Sequence, residues 1–445
     1  MLTAFIRAFR TPDLRKKLLF TLGILILFRF GSSLPAPGIS EKNVNLCSGL
    51  AAKSGAANVY ALVNLLSGNA LKYMTVFALG IMPYITASII LQLLTVVIPR
   101  LEALKEEGQA GQAKITQYTR YLTIGLAILQ STGYIELART GTLFANSECT
   151  ATSNPIIPDA SVFRIATMVV VMVAGTAVIM WLGELITDRG VGNGMSVLIF
   201  TQVIAVIPGE LLTILQTKGT FIALLSLVVI IVVVAFVVFM EQAQRRIPVQ
   251  YAKRMVGRRM YGGTSTYIPM KVNLAGVIPV IFASSLLYIP QLAVSLFGNQ
   301  SHPQAWVTWV QNHLETTTTL STEWLYILLF FLLTVGFTFF YVSITFNPVE
   351  VADNMKKYGG FIPGIRPGRP TAEYLGYVLN RLTTPGSLYL GVVAMFPLLA
   401  LAAIGVGSEF PFSGVSLLIM VGVGLDTVKQ IESQLQQRNY EGFLR

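Results

Sequence analysis

Charge is what this chain has least of. Only 12% of its 445 residues are charged, against roughly 25% in soluble domains. That shortage, with 53% apolar residues, excludes a soluble enzyme carrying one anchor and points to a polytopic membrane protein. Cysteine is equally scarce. Cys47 and Cys149 are the only two, too few for a disulfide framework and spaced for no metal motif. The only histidines, His302 and His313, share one loop without helical spacing for zinc. The chain has no H-E-x-x-H and no G-x-x-x-x-G-K-[ST], so neither zinc proteolysis nor nucleotide hydrolysis by that route is expected. Gly422-Val423-Gly424-Leu425-Asp426 approaches an intramembrane aspartyl protease motif. Its aspartate is displaced by one, and no second intramembrane carboxylate offers the partner such chemistry needs. The expectation is therefore not an enzyme, with no catalytic residue, no cofactor and no metal.

Long hydrophobic runs are what the chain has in abundance. The pattern predicts an all-α protein with ten membrane-spanning helices, at roughly 17–35, 74–98, 117–138, 163–183, 191–208, 220–240, 274–297, 324–346, 382–404 and 411–429. The first apolar segment, Leu18 to Leu34, follows five cations and lacks a small-residue cleavage site, so it reads as a retained helix rather than a signal peptide. Lysine and arginine orient the bundle. With the N-terminus cytoplasmic, 25 of the 32 fall on the inner side. Lys42, Lys53, Lys72, Arg139, Arg164 and Lys218 fall outside, and Arg29 lies within the first helix. The reading is N-in and C-in. Ten helices divide into two sets of five, residues 1–208 and 209–445. An odd number per half inserts the second half inverted relative to the first, as in transport folds. The topology places Cys47 and Cys149 in the first and second outer loops. In an oxidising compartment they could pair; the plainer alternative is two free residues that never meet.

Residues Val76 to Pro99, VFALGIMPYITASIILQLLTVVIP, carry no charge but hold Gly80, Pro83, Gln92 and several hydroxyls. Read as one spanning helix, the stretch places Ile81 and Ile85 on a common face. Before it, Val59 to Leu71 is apolar at helical spacing but too short to span. Interrupted helices at membrane depth are tolerated where they line a cavity or are buried in protein, so the pair points to a pore. The helix centres are nearly charge-free, whereas an ion-coupled carrier buries charged groups at midplane. An aliphatic constriction resists water and ions by dewetting, which suits large, chemically varied cargo.

Two inner loops stand out. EQAQRRIPVQYAKRMVGRRMYGGTSTYIPMK, in the 241–272 loop, has seven cations against one acid, Glu241. Its alternation and Gly262-Gly263 predict a β-hairpin or extended finger. Clustered Arg interleaved with Tyr suits phosphate backbones or an acidic protein surface; a basic loop that merely sets topology is the blander reading. The 347–381 loop carries Gly359-Gly360, Pro363-Gly364, Pro367-Gly368 and Pro370, turn residues that would hold Arg366 and Arg369 at an exposed tip.

These blocks together resemble the SecY family, the central subunits of the bacterial protein-conducting channel. FALGIMPYITASIILQLL, KITQYTRYLT, MWLGELITDRGVGNGMS, QRRIPVQYAKR, KVNLAGVIPVIFASS, FNPVEVADNMKKYGGFIPGIRPG and SLLIMVG follow the family order, from the first helix to about Asp426. The resemblance implies two five-helix halves around a central pore, with a lateral gate between the second and seventh helices. By matching blocks, the pore ring would be Ile81, Ile85, Met195, Ile199, Ile281 and Ile419; methionine stands where the family often has isoleucine. The short helix at about 59–71, with Tyr60, Leu62, Val63, Leu65, Leu66 and Leu71, would be a plug. Gln92 and Asn273 would be polar residues of the gate. Arg258, Arg259 and Arg366 would dock the ribosome or the SecA motor ATPase, and SecE and SecG would clasp the bundle. The implied function is to move unfolded preproteins, led by signal peptides, across the bacterial plasma membrane and to release membrane segments to lipid. A small-solute secondary transporter is the alternative.

Overall fold

The computed structural model describes residues 9, 11–54, 68, 70, 71, 73–140, 155–159, 161–217, 219–251, 254–256, 259–261, 265–297, 305–314, 324–403 and 414–441. The protein is mostly helical. Chain order gives α1 (Pro12–Ser33), α2 (Glu41–Ser54), α3 (Met82–Val97), α4 (Pro99–Glu106), α5 (Gln109–Thr140), α6 (Val162–Arg189), α7 (Gly194–Thr217) and α8 (Thr220–Gln242). Then come β1 (Gln244–Tyr251), β2 (Arg254–Val256), β3 (Arg259–Tyr261), β4 (Ser265–Lys271), α9 (Ile278–Phe297), α10 (Ala305–Leu314), α11 (Trp324–Thr345), α12 (Pro348–Lys357), β5 (Gly360–Phe361), α13 (Arg369–Ala403) and α14 (Gly414–Glu441).

A helix overlaps each of the ten stretches read as spans. By length and composition, five helices of the described residues can cross a membrane, or six if the bent pair Met82–Val97 and Pro99–Lys105 is one span. The α8 helix shows what surrounds them. Phe221, Leu224, Ile231, Val232, Phe236 and Phe239 all point outward. Such an apolar surface is untenable in water and natural against lipid. The α7 helix continues through Pro208 to Thr217, past the expected boundary at 208.

The 76–99 stretch is not one helix. Residues 73–80 run through turns, and α3 starts only at Met82, with Pro83 in its first turn. Proline is preorganised for that position because its missing N–H would be unpaired there anyway. Upstream, the backbone is bound elsewhere. The Ala36 N–H donates to the Met74 carbonyl at 3.1 Å, and the Val76 N–H donates to the Leu34 carbonyl at 2.9 Å. Met74 (φ 48°) and Gly80 (φ 55°) take left-handed conformations, which a continuous helix excludes. At the other end Pro99 breaks the chain, and α4 turns away by 104°. Gly80 and Pro83 therefore shape the entry to α3 rather than soften its middle.

Four buried clusters hold the bundle, the smallest joining Leu14, Val191 and Ile431. The largest joins α1, α3, α6, α7, α8, α9, α11, α13 and α14. A second gathers Val44, Cys47, Leu71 and Met74 with α5 and α6. A third packs β1 and β4 against α11 and α13.

The expected finger is present: β1 pairs antiparallel with β4, from Gln244↔Lys271 to Gln250↔Ser265, and β2 with β3. The 347–381 loop joins the same sheet, since β5 pairs with β1 through Gln250↔Phe361. That loop is ordered locally by Asn347, whose side-chain oxygen accepts from the Val349 and Glu350 N–H groups and caps α12.

The turn segment fits only because α6 is smooth where they meet. A Cβ on Gly175 would lie 2.1 Å from the Val76 carbonyl oxygen. Gly175→Ala is expected to force the two apart at about 1–3 kcal/mol. A lower thermal midpoint of the purified protein would show it; an unchanged midpoint would contradict the close approach.

Candidate functional site

The six candidates all belong to, or pack against, the largest buried cluster. Ile81, Ile199, Ile281 and Ile419 are all buried members of the central cluster, and Ile85 and Met195 pack half-buried against it. They arrive from four elements: the entry to α3, α7, α9 and α14. Ile81 is the N-cap of α3, and its carbonyl accepts the Ile85 N–H at 3.1 Å. The two residues are thus linked by one helical turn although Ile81 precedes the helix. Met195 lies beside Gly183 of α6, where an added Cβ would meet its sulfur at 2.5 Å. Room for the longer side chain comes from the neighbouring glycine.

The plug candidates Tyr60, Leu62, Val63, Leu65 and Leu66 lie outside the described residues. Leu71 is described, in a turn and fully buried beside Cys47 and Met74. Cys47 is buried and disulfide-bonded; the chain's other cysteine, Cys149, lies outside the described residues.

The two polar gate candidates have separate surroundings. Gln92 is exposed into a cavity of about 390 Å³. Tyr84 and Ser88 of α3, Thr116 and Thr119 of α5, Phe282 of α9 and Phe337 of α11 share its wall. The α3 and α9 helices therefore face each other across a mixed polar and aromatic space. Asn273 is buried near the inner end of α8 instead. Its Nδ2 donates to Glu241 Oε1 at 2.6 Å and to the Gly276 carbonyl at 3.1 Å. Glu241 is itself buried. Beside it, the exposed Lys271 and Asp426 pair at 3.3 Å, tying β4 to α14.

On the inner face, Arg259 falls on β3 and Arg258 lies outside the described residues. Arg366 is exposed, and its carbonyl accepts the Thr371 hydroxyl at 2.8 Å where α13 begins. The Arg246 guanidinium stacks 4.9 Å from the Tyr267 ring centre across β1 and β4. Because β5 joins β1, the loops bearing these arginines share one support.

Sequence reasoning missed Gln202. It is fully buried on α7, one turn from Ile199, and neither amide atom has a hydrogen-bond partner. Its place within an apolar run gives the only sequence signal.

Solved structures carry the same fold. One, described as "The plug domain of the SecY protein stablizes the closed state of the translocation channel and maintains a membrane seal", matches with a TM-score of 0.62 at 18% identity, over 94% of this chain and 91% of that one. Another, "Sec61 in the Canine ribosome-channel complex from the endoplasmic reticulum", matches with a TM-score of 0.59 at 17% identity, over 94% and 91%. The fold is that of these multi-pass membrane channel structures. The SecY family model matches residues 75–428, and "Protein translocase subunit SecY" of Streptomyces scabiei is 63% identical over the full length of both chains. The chain belongs to the SecY family.

Asn273 supplies a local test. Asn273→Ala would leave the buried Glu241 carboxylate without its donor, expected to destabilise by about 1–3 kcal/mol. Lys271→Ala breaks only an exposed pair and is expected to cost under about 1 kcal/mol. Denaturant midpoints of both variants check the contrast; equal effects would contradict it.

Proposed function

We propose that this channel moves unfolded secretory preproteins across the bacterial plasma membrane and releases membrane segments sideways to lipid. The observation that carries the reading is the convergence of Ile81, Ile199, Ile281 and Ile419, with Ile85 and Met195 against them, in one buried cluster. In this reading the six form the pore ring. Aliphatic walls of that width stay dry when idle and present no fixed binding group to cargo. Residues 1–208 and 209–445 form the two five-helix halves, joined after α7, with both termini cytoplasmic. The segment at about 59–71 is the plug, and a Cys47–Cys149 bond braces the outer loops around it.

The lateral gate lies between α3 and α9. Gln92 and Phe282 on the wall of one cavity support it. Asn273 acts from the inner end of α9, through Glu241, and not within that cavity. Arg258, Arg259 and Arg366 form the cytosolic docking surface for the SecA motor or the ribosome; the shared sheet supports joint presentation. SecE and SecG complete the assembly. Conduction is passive and not enzymatic, with the motor or the growing chain supplying the work. A small-solute carrier would need polar groups converging on a midplane site, and the cluster is aliphatic.

Replacing Ile81 and Ile85 together by Asn is expected to wet the constriction and raise the idle ion conductance of the reconstituted channel by at least about tenfold, since polar walls stay hydrated. Unchanged conductance would remove both from the ring. Arg366→Glu is expected to abolish most precursor translocation without lowering the unfolding midpoint, because the side chain is exposed. A normal translocation rate would contradict the docking role.

A further inference from the structure

A buried polar side chain sits on α7 among members of the central cluster. Gln202 is 0% exposed, and its Nε2 and Oε1 both lack a hydrogen-bond partner. It sits one turn beyond Ile199 on α7 and is flanked by the buried Val203 and Val206. Directly against it lies Gly68, at the end of the segment read as the plug. A Cβ on Gly68 would come within 3.5 Å of Gln202 Cβ and Cγ. Gly68 has φ +65°, a left-handed conformation that admits its close approach. Its carbonyl takes a long hydrogen bond, 3.5 Å, from Arg29 of α1. The backbone at Gly68 is thus held by Arg29, while the neighbouring amide is held by nothing described.

A buried amide without partners loses the hydrogen bonds water would give it, and native interiors rarely leave such a group. The penalty exists only while the surroundings stay dry and packed. If the Gly68 segment leaves and the pore fills with water or an extended polypeptide, the amide regains partners from water or from backbone N–H and C=O groups.

We propose that Gln202 is a threshold-setting residue of the channel: its unpartnered amide destabilises the packed arrangement relative to the open one and so determines how apolar a cargo segment must be to open the pore. The proposal rests on reading the central cluster as the pore. Ile81 and its companions keep the closed channel dry, and Gln202 keeps that closure from being too deep. An aliphatic residue at 202 would pack as well and lock the pore shut more often.

The test is the idle channel, reconstituted with its partner subunits in planar bilayers, alongside precursor translocation in membrane vesicles. Gln202→Met preserves length and removes the amide. Idle openings are expected to fall by roughly tenfold, the scale set by one buried unsatisfied polar group. Translocation of a precursor with a shortened apolar leader is expected to drop in parallel, and that of a precursor with a strongly apolar leader to stay unchanged. The second result shows that the variant folds and conducts. Gln202→Glu is expected to increase idle openings. If Gln202→Met leaves opening frequency and leader dependence unchanged, the proposal is wrong. The Ile81→Asn channel, recorded in the same bilayers, separates the two readings. A leak there with no effect of Gln202→Met overturns only the role of Gln202, whereas no leak there removes the pore assignment on which that role depends.

Discussion

A hole through a membrane that passes whole polypeptides has to exclude ions when nothing is passing, and hydrogen-bonding groups cannot do that because they hold water. In the proposed pore, Ile81, Ile199, Ile281 and Ile419, all members of one buried cluster, would meet that constraint with side chains that attract neither water nor ions. Each comes from a different element: the entry to α3 and the helices α7, α9 and α14. Much of the remaining architecture serves to bring those four elements to one point. Gly175 lets the turn at Val76 lie against α6, and that turn delivers Ile81 to the head of α3.

The polar interactions sit around this dry centre and have different tasks. Asn273 satisfies the buried Glu241 at 2.6 Å, linking the end of α8 to the approach to α9. Lys271 and Asp426 join β4 to α14 nearby. The two contacts thus connect the approach to α9 with the base of the β1–β4 pair. The pairing of β5 with β1 places the two basic loops on one sheet. Gln202 differs from Asn273 in that neither atom of its buried amide has a partner, a penalty that depends on its surroundings staying dry.

Much of this was legible from local pattern. The ten helices follow apolar run length, and the finger follows alternation bounded by Gly262-Gly263. What local pattern could not show was decided by distant partners. Residues 76–81 are as apolar as the helix after them. Hydrogen bonds to the Leu34 carbonyl and from the Ala36 N–H, together with left-handed Met74 and Gly80, hold them in turns. The third strand of the finger sheet comes from another loop more than a hundred residues later in the chain, a pairing no local alternation encodes. Asn273 was placed at the gate by matching blocks, whereas its bonds are to Glu241 and Gly276. Gln202 looked like one polar residue in an apolar run; only the surrounding packing reveals that it has no partner. The pore candidates were reached through family blocks rather than physics alone, since a buried isoleucine in a pore and one in a core have the same local pattern.

The central claim is that this chain conducts polypeptides through an aliphatic pore. The most direct measurement depletes the protein in growing cells and follows secreted precursors together with small-solute uptake. The account predicts that precursors accumulate inside while uptake continues. Precursors that keep crossing while a small solute fails to enter would contradict it.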